Sequence, residues 1–338
     1  QQAAEKVAEA FKKVGDEHGP ESIGFIGSPY ATNEENYLYQ KMFRSLGTNN
    51  IDHKVYQDTP GLPIDHYDME QIQSSNVVLL LASDPTEELP ILDLRIKKAV
   101  TGFGTRLISL NDQATALDKY ADLKLKYRIG SEASAVDSLA EGLARELGES
   151  IEFSSALGQT GISSDEMKSM VEAVRSSMKI CVVYNPAALS GDTVLRVKRL
   201  LKIIAKIPTI ECGAIPAAPA TNAVGAIDMG LIPDYYPGGI PVSDQKKVKE
   251  LWGENAPTKA GLSALEMIAK AKSGEMKALW VHRANPAVDF PGGAEVVEAL
   301  KNLDLLVVHD MLETETTQLA KIVLPSNGPG LDLSLIHI

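Results

Sequence analysis

Residues 22–58 read SIGFIGSPYATNEENYLYQKMFRSLGTNNIDHKVYQD. Ser22 to Ile26 is a short apolar run ending in a turn, the pattern of a buried strand. Gly27 and Ser28 turn the chain. Thr32, followed three residues later by Glu35, predicts a helix start with a capping box. The helix is expected to stop near Gly47, ahead of the polar segment Asn49–Asn50–Ile51–Asp52–His53. Strand, Gly-Ser turn and helix N-terminus together place backbone N–H groups where an anion could meet them. On spacing alone, ordinary capping is the better account of Thr32, Asn33 and Asn36, because neither GxGxxG nor GxxxxGK occurs here.

Outward from this block, apolar runs alternate with amphipathic stretches. Strands are expected at Ile23–Ile26, Val77–Leu81, Arg106–Leu110, Ile180–Tyr184, Thr209–Glu211, Ala278–Val281 and Leu305–Val308. Continuous apolar runs of this length suit parallel strands covered on both faces. Helices are expected over Ile91–Val100, Val194–Ile204 and Gly261–Ala271, each with one apolar side. The alternation predicts an α/β fold of doubly wound parallel sheets, whose ligands sit beyond the carboxyl ends of the strands. The turn-rich segment Asp58–Pro63 and the polar segment Gly148–Ser164 suggest a domain division. Residues 1–60 with 175–330 are expected to form one discontinuous lobe, with 61–174 inserted as a second. Cys212 to Val242 is rich in Gly, Pro and Ala and reads as an irregular crossing. No internal repeat stands out. The chain ends in LSLIHI, which CTG TCT CTT ATA CAC ATC would encode, a sequencing-adapter end. Residues 331–338 are therefore expected to be an artefact and no part of the fold.

The chain has 338 residues, 44% apolar and 23% charged, and a net charge of −12. Two domains are expected from the length, and the acidity argues against nucleic-acid and anionic-membrane surfaces. No apolar run is long enough to insert into a membrane. The two cysteines, Cys181 and Cys212, are far apart, so neither a disulfide framework nor a zinc or iron–sulfur site is expected from this chain alone. Ser83–Asp84–Pro85–Thr86–Glu87–Glu88 follows a strand. It reads as a ligand loop or, better on physics alone, as a helix start capped by Thr86 with acidic residues on the dipole. The histidines lack the i, i+4 spacing of a zinc helix. His309–Asp310 could be a general base with its orienter, though a strand-end histidine bonding a nearby carbonyl is the simpler reading. Composition and spacing thus support a soluble α/β protein and no particular activity.

Five ordered motifs add more. GSPYATNEENYLYQKMFRSLGTNNIDH, LASDPTEELPILDLRIKKAV, NAVGAIDMGLIPDYYPG, ALWVHRANPAVDFP and LLVVHDMLETETTQLAKIVLPSNG resemble the molybdopterin oxidoreductase superfamily, from Ser22 to Gly328. The resemblance implies two α/β lobes, one inserted in the other, gripping a bis-molybdopterin guanine dinucleotide. It implies pterin-facing positions at Gly27, Ser28, Thr32, Asn33, Asn36, Ser83, Asp84, Pro85 and Glu87. Where formate dehydrogenases read NVDHxARxC, this chain reads Asn50 to Thr59 as NIDHKVYQDT. Asp58 stands at the metal-ligand position, Tyr56 replaces the neighbouring Arg, and Thr59 replaces the His. A soft thiolate, a cation and a proton carrier are missing, so no catalytic or metal residue is assigned. An aspartate ligates molybdenum in some relatives.

NIDHKVYQ is more similar to the branch formed by the large G-type subunits of NADH-quinone oxidoreductase, respiratory complex I. That branch keeps the lobes as a scaffold, with iron–sulfur clusters in an N-terminal part this chain lacks. The resemblance implies a bacterial fragment, peripheral on the cytoplasmic side of the inner membrane, whose partners are other peripheral-arm subunits. No cofactor is then expected on the fragment itself. A molybdenum or tungsten enzyme of the formate dehydrogenase type, with the bis-pterin cofactor bound, is the alternative. A stand-alone nucleotide-binding module is the third.

Overall fold

The computed structural model describes residues 2–56, 58, 60–61, 64–149, 157–218 and 220–328. Gln57, Thr59 and the suspected artefact at 331–338 lie outside the described residues. In chain order the strands are β1 (Ile23–Ile26), β2 (Ile51–Asp52), β3 (Asp65–His66), β4 (Val77–Leu81), β5 (Arg106–Asn111), β6 (Leu123–Lys126), β7 (Lys179–Tyr184), β8 (Glu211–Pro216), β9 (Tyr235–Tyr236), β10 (Ile240–Pro241), β11 (Ala278–His282), β12 (Leu305–Asp310) and β13 (Ile322–Pro325). They form a parallel sheet ordered β13-β12-β11-β1-β2, a parallel sheet ordered β3-β8-β7-β4-β5-β6, and a small antiparallel β9–β10 hairpin. The chain divides into two units. Unit 1 comprises Gln1–Val55, Thr59–Gly61 and Ala220–Ile338, and unit 2 comprises Tyr56–Asp58 and Leu62–Pro219.

Unit 2 is a doubly wound sheet. Numbered by chain order within the unit, β6-β5-β4-β7-β8 is 3-2-1-4-5, with β3 added outside β8. Strand pleating sends alternate residues to opposite faces. Val77, Leu79 and Leu81 enter a core with Leu139, Leu143, Met170, Val174, Leu200 and Ile204. Val78 and Leu80 enter another with Ile72, Leu92, Ile96 and Ala99. The division expected at 174 is therefore corrected. β7 pairs along its length with β4, and β8 with β7, so the chain leaves this unit only at Pro219.

Unit 1 is the same architecture with a different winding. Its order β2-β1-β11-β12-β13 is 2-1-3-4-5. One face of the sheet packs Leu279, Val281, Leu306 and Val308 against the Ala264–Ser273 and Ala294–Lys301 helices. The other packs Phe25, Ala278 and Val307 against Val7, Phe11 and Phe43 of the Gln2–His18 and Asn33–Ser45 helices. The segment expected to cross irregularly holds β8, a short Ala223–Asp228 helix and the β9–β10 hairpin.

The strand expected at Thr209–Glu211 lies further on, at Glu211–Pro216. Gly213 within it meets the Tyr67 ring so closely that an added Cβ would stand 2.1 Å from Cδ1. A glycine and a proline inside the run hid it from an apolar-run reading.

Candidate functional site

In an open parallel sheet the ligand crevice lies where the winding reverses, between the carboxyl ends of two adjacent strands. In unit 1 that point is between β1 and β11; in unit 2 it is between β4 and β7.

At the unit 1 point, Gly27 follows β1 and donates its N–H to Asp52 O at 2.8 Å. A Cβ there would sit 2.5 Å from Leu231 Cδ2, so only glycine fits. Ser28 is buried and its Oγ accepts from Tyr30 N at 3.1 Å. The expected capping box is present. Thr32 Oγ1 accepts from Glu35 N at 3.2 Å, and Glu35 Oε2 accepts from Thr32 N at 2.9 Å. Asn33 Oδ1 accepts from Asn222 Nδ2 at 2.9 Å. Asn36 is fully buried one turn on, and both its amide atoms are without a hydrogen-bond partner.

Across the same point, β11 runs into Arg283, which holds a positive φ of 48°. Its guanidinium reaches Glu35 Oε1 at 3.0 Å, Ser326 Oγ at 3.1 Å and Asn327 O at 2.6 Å. Burial pushes the Glu35 carboxyl up, but the His282 ring, the Thr32 N–H and the Arg283 cation outweigh it and hold the pKa at about 2. His282 is fully buried, with Nε2 3.5 Å from Glu35 Oε1 and neither nitrogen in a well-formed hydrogen bond. Asn285 Oδ1 accepts from Thr316 N and Oγ1, at 3.2 and 2.7 Å, tying the ANPA stretch to the TETT stretch.

At the unit 2 point, β4 runs into Ala82, at a φ of 44°. Asn111 clasps the next residue: its Oδ1 accepts from Ser83 N at 2.8 Å and its Nδ2 donates to Ser83 O at 3.3 Å. Ser83 Oγ is buried without a partner. Asp84, not the expected Thr86, caps the following turn, accepting from Thr86 N at 3.2 Å with Pro85 at the first helical position. Glu87 is exposed, and its N–H reaches Asp84 O at 3.3 Å. From β7, Asn185 donates to Glu88 Oε2 at 2.6 Å. The structure thus places Gly27, Ser28, Thr32, Asn33 and Asn36 at one reversal point and Ser83, Asp84, Pro85 and Glu87 at the other.

Asp58 lies in unit 2 and is mostly buried. It makes an ion pair with Lys198 of the Gly191–Ala205 helix, Oδ1 to Nζ 3.1 Å, with side-chain exposures of 8% and 10%. Tyr184 ends β7 with its hydroxyl buried and unpartnered. Burial, and secondarily the Asp58 charge, push its pKa up.

The Asn-Asn-Ile-Asp-His block has a different task. Asn49 Nδ2 donates to Pro257 O and Lys259 O, and Asn50 Nδ2 to Glu21 O and Ile23 O. Asn50 Oδ1 and Asp52 Oδ2 accept from Leu262 N and Ala264 N. His53 Nδ1 lies 2.7 Å from Leu231 O, and burial holds that imidazole's pKa down at about 3. These side chains pin the 231–264 crossing onto the sheet.

The molybdopterin oxidoreductase family model matches residues 1–328. The chain belongs to that family. Its relatives include the NADPH-Fe(3+) oxidoreductase subunit alpha of Geobacter sulfurreducens, 28% identical over 95% of this chain and 42% of that protein. A G-type subunit of NADH-quinone oxidoreductase from Rhizobium meliloti is 26% identical over 94% and 40%. The F420-dependent formate dehydrogenase subunit alpha of Methanocaldococcus jannaschii is 29% identical over 96% and 52%. This chain thus spans between 40% and 52% of these relatives' lengths. Acetylene hydratase from Pelobacter acetylenicus shares the fold, with a TM-score of 0.69 at 17% identity over 96% of this chain and 52% of that one.

The family implies a molybdopterin-type cofactor. The residues fit its organic part and not its metal. Buried polar groups without partners (Asn36 and His282 in unit 1, Ser83 in unit 2) stand at the two reversal points and would accept a polar ligand. Asp58, the residue expected at the metal-ligand position, is instead paired with the Lys198 ammonium. Among the described residues, no group of three His, Cys, Asp or Glu side chains could hold a metal ion. Sequence reading missed Arg283, Asn111, Asn185 and Lys198. HRANP and YNP, each directly after a strand, were the available signals for Arg283 and Asn185.

Proposed function

We propose that this chain is the molybdopterin-oxidoreductase-like part of a larger electron-transfer protein, of the kind represented by the G-type subunits of NADH-quinone oxidoreductase. In this reading the two lobes are a scaffold and carry vestigial pterin-binding surfaces. The observation that carries it is the Asp58–Lys198 ion pair. A buried carboxylate neutralised by an ammonium gains its stabilisation from that partner, and breaking the pair would strand a charge. The residue at the metal-ligand position is thereby committed to the fold.

The iron–sulfur clusters would belong to the rest of that protein, and the partners would be other peripheral-arm subunits of a bacterial complex I. The location would be peripheral, on the cytoplasmic side of the inner membrane. No helix among the described residues is long and apolar enough to cross a membrane. A second reading is a molybdenum or tungsten enzyme of the formate dehydrogenase type. It is favoured by the buried orphan groups of Asn36, His282 and Ser83, which suit a bound dinucleotide.

Purifying the complete protein from its native host and measuring molybdenum, tungsten and iron separates the two. Iron without molybdenum or tungsten is expected. Stoichiometric molybdenum or tungsten would replace the scaffold reading with the enzymatic one.

A further inference from the structure

Behind the Glu35–Arg283 pair lies a feature that the scaffold reading does not use. The Tyr39 hydroxyl meets His309 Nδ1 at 2.6 Å, a short hydrogen bond. The Pro325 backbone bonds the same ring, which leaves Nδ1 as the acceptor for the phenol. His309 also lines a cavity of about 450 Å³ with Thr32, Glu34, Glu35, Pro325, Ser326 and Asn327. Burial, and next the His282 ring, lower the His309 pKa, so its lone pair is available at neutral pH. Burial raises the Tyr39 pKa, so the phenol keeps its proton. Trp280 stands edge-on to Tyr39 with ring centroids 5.4 Å apart, and Phe25 stacks on Tyr39 at 4.7 Å.

We propose that Trp280, Tyr39 and His309 form a proton-coupled electron donor to one-electron oxidants of the radical class. One electron leaves Tyr39 for the oxidant, which is reduced by one electron. The phenolic O–H bond breaks and an N–H bond forms at His309 Nδ1. The products are a neutral phenoxyl radical and an imidazolium.

The direction of the relay follows from the hydrogen bonds. Trp280 Nε1 is buried with no partner, so a cation radical there has no base to take its proton. Tyr39 has one, and a hole arriving at Trp280 drains to it. The hydrogen bond, not charge, sets that end point: burial, the His282 ring and the Arg283 cation oppose the imidazolium, while the Pro325 backbone and the Glu35 carboxylate support it. Other buried phenols lack this partner: Tyr67 donates to the Glu211 carboxylate and Tyr236 to the Pro257 carbonyl.

The test is flash photo-oxidation of the complete protein by ruthenium(III) tris-bipyridine, read by transient absorption and electron paramagnetic resonance. The expected result is a tyrosyl radical that Tyr39→Phe abolishes and that forms more slowly in D2O. His309→Phe slows its formation by about a hundredfold, the contribution of a positioned proton acceptor. His309→Gln, which keeps a polar group in place, is expected to fall between, and circular dichroism confirms that each variant folds. A radical that survives Tyr39→Phe, or that forms as fast in the His309 variants as in the unsubstituted protein, would overturn the proposal.

Discussion

The loop after β4 and the loop after β11 share one backbone path and differ in chemistry. In both, a non-glycine residue takes a positive φ directly beyond the strand: Ala82 at 44° and Arg283 at 48°. Each donates its N–H to the neighbouring strand, to Leu110 O at 3.0 Å and to His309 O at 2.9 Å. Each is followed by an Asx residue and a proline that opens a four-residue helix, Pro85–Glu88 and Pro286–Asp289. The two stretches, 77–88 and 278–289, are a structural repeat that sequence similarity did not disclose. Their supports differ. Asn111 clasps the unit 2 loop from β5, whereas Asp310, the equivalent position on β12, turns to its own Met311 and Leu312 N–H groups. Unit 1 carries a buried cation in the loop itself, at Arg283. Unit 2 carries one on a helix, at Lys198, paired with Asp58. One fold thus supplies two crevices whose polar character is set by a few side chains at strand ends.

The largest expected effect tests the unit 2 cation. Lys198→Met leaves Asp58 buried without its ammonium and should cost about 3–5 kcal/mol in urea unfolding. A loss below about 1 kcal/mol, the range of exposed pairs, would show that the pair is incidental.

Acid sensitivity should come chiefly from unit 1. His53 is neutral in the folded protein down to about pH 3, while an unfolded histidine titrates near 6.5. Between those values the unfolded chain binds the extra proton, so stability falls as pH drops through that window. Glu35 adds a second loss lower down. Its folded pKa of about 2 lies below the ordinary 4.5, so its contribution is present above pH 4.5 and disappears as pH falls towards 2. His53→Gln should flatten the unfolding profile from pH 6.5 to 3, whereas Glu35→Gln should lower stability above pH 4.5 and flatten the profile only between about pH 4.5 and 2. A profile unchanged by His53→Gln would refute the burial argument.

The clasp gives the third comparison. Asn111→Ala strands the Ser83 N–H and should cost about 1–3 kcal/mol, while Asp310→Ala, at a position half-buried at the end of β12 and with its carboxylate bonded only to the exposed N–H groups that follow it, should cost at most about 0.5 kcal/mol. Equal losses would mean that the two loops are held alike. The smallest effect concerns backbone strain. Ala82→Gly should be stabilising by about 0.5–1 kcal/mol, because glycine adopts positive φ without a Cβ clash. Arg283→Gly relieves the same strain but removes the contacts to Glu35, Ser326 and Asn327, so it should be destabilising.

Much of the fold was legible because buried parallel strands are unbroken apolar runs. Val77–Leu81 and Ile23–Ile26 lie where the sequence placed them. Which sheet a strand joins was not legible, since Ile180–Tyr184 is equally apolar in either. Pairing with β4, a contact across about a hundred residues of chain, put it in unit 2. The Thr32–Glu35 box was readable from local spacing. Lys198 was not, because a lysine on an amphipathic helix reads as solvated, and only the fold brings Asp58 to it. Arg283 was hidden for a similar reason. Its positive φ and its three partners depend on β13 and the Asn33–Ser45 helix, both remote in sequence.

The central claim is that position 58 serves an internal ion pair. A double-mutant cycle on Asp58→Asn and Lys198→Met, measured by equilibrium unfolding of the complete protein, addresses it directly. The account predicts a favourable coupling of about 2–3 kcal/mol, with the double variant much more stable than Lys198→Met alone. Additive losses, with no coupling between the two positions, would contradict it.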